Sequence, residues 1–163
     1  MNFAIDINIP EPTLALKNIQ TFDQTAEVDL AIQALEQGKN ILISGPKEAF
    51  QQHYSDHITI KFNMTNESES ADIVYYNKFN FLKHKECILN LLSKKCIKYI
   101  VVNSYLETRD GQDISSSLKN KIFSHMPFLL GFHSTLLAIP RCINDMITFG
   151  AKSIHVQGID FFT

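Results

Sequence analysis

Ala71–Val102, ADIVYYNKFNFLKHKECILNLLSKKCIKYIVV, decides the fold. Ala71 to Tyr76 is strand-like. Phe81 to Lys94 carries Leu82, Ile88, Leu91 and Leu92 at helical spacing, and Cys96 to Val102 is β-branched and aromatic, the strongest strand in the chain. Neither strand alternates cleanly between apolar and polar positions. Strands of that kind, separated by a helix, belong to a mainly parallel sheet covered on both faces.

The same alternation continues outward in both directions. Upstream, Asn40-Ile-Leu-Ile-Ser44 is a short apolar run broken by Gly45-Pro46, a buried strand entering a tight turn, with a short helix after it. His57 to Met64 alternates as a strand, and Thr65 to Ser70 is a solvated loop. Before these, Val28, Ala31, Ile32 and Leu35 trace a helix over Asp23–Gln37, with Asp23 or Thr25 as N-cap and Gly38 at its end. Residues 1–22, with an extended Phe3–Ile9 followed by Pro10 and Pro12, read as an N-terminal arm. Downstream, Leu106–Asp113 reads as a loop, Ser115–Ser124 as a helix and Phe128–Gly131 as a strand. Ile139, Cys142, Ile143, Met146 and Ile147 form a helical stripe ending at Gly150, and Ser153–Gln157 is a further strand. The expected architecture is α/β: a Rossmann-like, doubly wound, mainly parallel sheet with helices on both faces, occupying residues 23–163.

A chain of 163 residues, 45% hydrophobic and 20% charged, fits one domain with a real core. Fifteen basic against seventeen acidic residues give a net charge of −2, which supplies no general attraction toward nucleic acid or an anionic membrane. An anionic ligand must therefore be bound locally. Cys87, Cys96 and Cys142 sit in apolar runs without a C-x-x-C arrangement and read as reduced, buried thiols. No run approaches a membrane span and no basic, then apolar, leader opens the chain, so the expected location is the cytoplasm. The Asn-x-Ser/Thr sites at Asn63 and Asn66 read as loop polarity.

Five turns follow the strands: Ser44-Gly45-Pro46, Asn77-Lys78, Asn103-Ser104, His133-Ser134-Thr135 and Gly158-Ile159-Asp160. In a doubly wound sheet they converge on one edge, where glycines, amides and hydroxyls can hold a base, a ribose and a phosphate. Singly, each has a plainer reading as a turn or a cap. Pro140 breaks a helix begun at Ser134 but suits the first turn of one begun at Ile139. His133 stands beside the hydroxyls as the candidate acid or base. The dinucleotide fingerprint G-x-G-x-x-G, the phosphate-binding G-x-x-x-x-G-K-[ST], an Asp-x-Asp pair and a zinc-ligand pattern are all absent, which leaves a metal-free nucleotide site.

Ile43-Ser-Gly-Pro46, Tyr76-Asn-Lys-Phe79, Ile97–Asn103 and above all Gly150-Ala-Lys-Ser-Ile-His-Val-Gln-Gly-Ile-Asp-Phe161 resemble, in order, the motifs of bacterial sialyltransferases of glycosyltransferase family 42. Kdo transferases of capsule assembly and nonulosonic-acid proteins are more distant likenesses. The resemblance implies a Rossmann-like fold, a CMP-activated sialic acid or related sugar as donor, a glycan or glycolipid acceptor, no metal or other cofactor, and work in the cytoplasm, often near the inner membrane. By that likeness Ser44, Gly45 and Pro46 approach the nucleotide, Asn77 and Asn103 bond it or its sugar, Ser134 and Thr135 face the phosphate, and Gly158 and Asp160 shape the cytidine floor. The family's catalytic histidine lies beyond the Gly-Ile-Asp-Phe motif, which leaves His133 as the candidate within this chain. The alternative is a noncatalytic nucleotide-binding or assembly module, with Phe161 and Phe162 covered by a homo-oligomer.

Overall fold

A computed structural model describes residues 3–8, 20–21, 38–45, 56–104, 106–124, 138–148 and 150–159. Eight strands form one sheet: β1 (Phe3–Asn8), β2 (Gln20–Thr21), β3 (Asn40–Ser44), β4 (His57–Phe62), β5 (Ala71–Tyr76), β6 (Ile97–Val102), β7 (Ile122–Ser124) and β8 (Ser153–Ile159), in the order β1-β8-β3-β4-β5-β6-β7-β2. The six central strands, β8 and β3 to β7, run parallel. β1 and β2, both from the N-terminal arm, pair antiparallel to β8 and β7 and close the two edges. The α/β Rossmann-like reading holds.

The continuous apolar runs are continuous because both faces are covered. In β3, Ile41, Leu42 and Ile43 are all buried, and in β5 Ile73 to Tyr76 are at most 1% exposed. On one face Ile41, Ile43, Ile60, Ile73, Ile154 and Val156 pack with Cys142 and Met146 of α4 (Ala138–Thr148). On the other, Val74, Tyr76, Ile100 and Val102 pack with Phe81 of α1 (Lys78–Lys83) and with Ile88, Leu91 and Leu92 of α2 (Lys85–Ser93). β3 to β7 advance across the sheet in one direction, and the chain then returns past β3 to β8. That reversal puts α4 opposite α1 and α2, as right-handed crossovers require.

Several elements differ from the sequence expectation. The helix expected over Phe81–Lys94 begins earlier and is two helices, because His84 (φ −111°, ψ 21°) leaves the helical region between α1 and α2. Asn77 starts α1 as its N-cap, its side chain accepting from the Asn80 backbone N–H at 2.7 Å. The helix expected over Ser115–Ser124 is a single turn, α3 (Ser116–Lys119), and Ile122–Ser124 is instead strand β7. Ile122 and Phe123 are at most 1% exposed, so pairing with β6 and core burial override local helix preference. Leu106–Asp113, expected as a loop, contains a 3-10 turn over Thr108–Gly111, pinned where Lys85 Nζ donates to the Asp110 carbonyl at 2.6 Å. Pro140 sits in the first turn of α4, where its missing N–H costs nothing. Gly150 (φ 80°) follows α4, and the Ala151 N–H donates to the Met146 carbonyl at 3.0 Å in a Schellman-type closure. Cys142 is buried as expected, whereas Cys87 is exposed. The helix expected at Asp23–Gln37 and the strand expected at Phe128–Gly131 lie outside the described residues.

Candidate functional site

At the carboxyl ends of β3 and β8 two backbones meet. The Gly45 N–H donates to the Gln157 carbonyl at 2.9 Å. A Cβ on Gly45 would stand 2.1 Å from the Gly158 carbonyl oxygen and 2.9 Å from Ile159 Cγ1. That spacing admits only glycine. Gly158 is itself buried and at φ 66°, a conformation that other residues adopt only with strain. These residues stand where the strand order reverses, the place in open α/β sheets where a crevice forms.

A cleft of about 400 Å3 opens beside them at the ends of β3 and β4, lined by Ser44, Gly45, Lys61, Phe62, Asn63, Met64, Thr65, Asn66, Ser68 and Glu69. Asn63 enters the β4–β5 loop at φ 49°, a left-handed position that asparagine tolerates well. The loop is held from behind. The Tyr76 hydroxyl donates to the Met64 carbonyl at 2.5 Å, and Cys87 Sγ lies 3.3 Å from the Thr65 carbonyl. Glu67 accepts from Lys94 Nζ at 2.8 and 2.9 Å and from Asn90 Nδ2 at 2.8 Å. The hydrogen bond to Glu67 also holds the Lys94 ammonium above its usual pKa. Ser68 N–H closes a small turn on Asn66 Oδ1 at 3.0 Å. Lys61 and Glu69 form an ion pair at 2.8 Å.

Ser44, Gly45 and Gly158, all expected at the site, come together. Asn77 and Asn103 stand on the same edge after β5 and β6 but do not line this cleft. Asn77 serves as a helix cap. The Asn103 N–H donates to the Tyr76 carbonyl at 2.7 Å, and its side-chain oxygen accepts from Arg141 of α4. Pro46, His133, Ser134, Thr135 and Asp160 lie outside the described residues.

Arg141 belongs to a buried polar network that the sequence reading did not pick out. Its side chain is 0% exposed, and Nε lies 3.4 Å from Asp145 Oδ2 one helical turn on. Asp145 also accepts from the Tyr75 hydroxyl at 2.8 Å. Burial pushes the Asp145 carboxyl up to about 6, opposed by the Arg141 charge and the Tyr75 hydrogen bond. The signal was present: Arg141 and Asp145 are spaced i, i+4 and each immediately precedes a stripe residue, Cys142 and Met146. That register places two charges beside the core-facing side of the helix. Asn63 and Asn66, read as loop polarity, are likewise cleft residues.

Among the described residues no group of three or more His, Cys, Asp or Glu is placed to hold a metal ion, and no helix is long and apolar enough to cross a membrane. No family model, curated protein or solved structure matches the chain. Fold and site together define a Rossmann-like α/β domain with a polar cleft at the carboxyl edge of its sheet.

Proposed function

We propose that this chain binds a CMP-activated sugar, of the sialic or related nonulosonic acid class, as the donor domain of a glycosyltransferase. The observation that carries the reading is the polar cleft beside the Gly45–Gly158 contact, at the point where the strand order reverses. Its volume of about 400 Å3 suits a mononucleotide, and its lining of amides, hydroxyls and one lysine offers hydrogen bonds to base, ribose and phosphate. The choice of donor rests on the motif resemblance. Transfer to an acceptor hydroxyl needs a general base, and His133 is the candidate.

A second reading, a noncatalytic nucleotide-binding or assembly module, draws on α1, where Phe79 is 72% and Leu82 37% exposed. Two measurements separate these. Calorimetric titration with CMP, and with UMP, AMP and GMP as controls and no metal added, should show selective CMP binding; equal affinity for all four, or none for any, removes the donor assignment. Incubation with CMP-sialic acid and a glycan acceptor should then release CMP with sugar transferred, whereas binding without turnover selects the module.

A further inference from the structure

Lys61 and Glu69 are the only charged residues in the cleft lining among the described residues, and they neutralise each other at 2.8 Å. Their footings differ. Lys61 stands on β4, paired in register with Val74 of β5, with its side chain 19% exposed. Glu69 stands on the β4–β5 loop with its side chain 45% exposed, its N–H bonded to the Asn66 carbonyl at 3.3 Å. The cation is therefore held by the sheet, while the carboxylate has the solvent access to turn away.

We propose that Glu69 is a built-in competitor for Lys61. The cleft takes an anion of the phosphate class by partner exchange: the ligand's phosphate oxygen replaces the Glu69 carboxylate on Lys61 Nζ, and Glu69 turns to solvent. The pair fills Lys61's demand for an anion when the cleft is empty, which weakens binding and selects ligands that bring a charge. The inference rests on the nucleotide reading for the nucleoside part of the ligand only; the anion exchange stands on the pair itself.

The test uses the whole chain and three probes, CMP, cytidine and inorganic pyrophosphate, titrated calorimetrically into wild type, Glu69→Gln, Lys61→Met and the double variant at low ionic strength. Glu69→Gln should bind CMP and pyrophosphate about three- to tenfold tighter, a gain of the size expected from releasing one partly exposed ion pair. Cytidine affinity should not change. In a Lys61→Met background the Glu69→Gln gain should vanish, because competition needs the lysine, whereas simple repulsion between Glu69 and the ligand would persist without it. An unchanged or weakened anion affinity in Glu69→Gln, or an equal gain with Lys61→Met present, overturns the proposal. A pyrophosphate gain in a protein that takes no nucleotide would uphold the exchange and remove the nucleotide reading instead.

Discussion

Asp145 is one of two buried charged residues among the described residues, and its environment fixes a measurable pH dependence. Its carboxyl titrates near 6 in the folded chain, against 3.8 for the ordinary group, because burial penalises the anion more than Arg141 and Tyr75 favour it. A carboxyl raised in this way binds more protons folded than unfolded. Its contribution to stability is complete below about pH 3.8 and is lost as the pH rises through about 6. Chemical denaturation of wild type and Asp145→Asn at pH 5 and pH 7 isolates this group: the wild type should lose more stability than the variant on going to pH 7. Parallel profiles would show that Asp145 does not titrate in this window. The stability difference between wild type and variant should therefore be smaller at pH 7 than at pH 5. Asn103 ties this network to the sheet edge.

Between strand and helix, the β4–β5 loop gains its shape from α2. Cys87, Asn90 and Lys94 contact Thr65 and Glu67 from positions three and four apart on the helix, which is one surface of it. Replacing Glu67 with Ala removes three of these hydrogen bonds at an exposed site. The expected result is a nearly unchanged melting temperature together with a several-fold loss of CMP affinity, since the loop forming the cleft wall loses its support. Unchanged affinity would separate the clamp from the site. This loop also shows where sequence reading stops. The parallel strands were legible because burial on both faces leaves an unbroken apolar run, as in Ile41–Ile43 and Ile100–Val102. The boundary at Ile122 was not, because Ile122 and Phe123 suit a helix stripe as well as a strand, and only the neighbouring β6 decides between them. Asn63 and Asn66 look like ordinary loop polarity until the fold sets them beside Ser44 and Gly45. In the same way, the Gly-Pro turn and the Gly-Ile-Asp motif are visible as strand ends, while the 2.1 Å approach that demands glycine at position 45 exists only in three dimensions.

Across the whole molecule, the parallel run of β8 and β3 to β7 gives the sheet a carboxyl edge and an inequivalent amino edge. The carboxyl edge carries Gly45, Asn63 and Gly158. The amino edge carries Asn40, His57 and Ser153, tied by Ser153 Oγ donating to Asn40 Oδ1 at 2.6 Å and by contact between His57 and Asp56 at 2.8 Å. A ligand at the strand-order reversal should therefore protect one edge only. In hydrogen exchange without ligand, amides of β3, β5 and β6, paired on both sides, should exchange slowest, and those of the two-residue β2 much faster. Addition of saturating CMP should slow exchange in peptides covering Asn63–Glu69 and the Ser44–Gly45 turn, with little change at Asp56–Ile58. Protection centred on the amino edge would move the site to the opposite end of the sheet and remove the cleft from the argument. Protection spread evenly over all strands would report only that ligand binding stabilises the fold globally, and the site would then have to be located by the Glu69→Gln and Lys61→Met affinities.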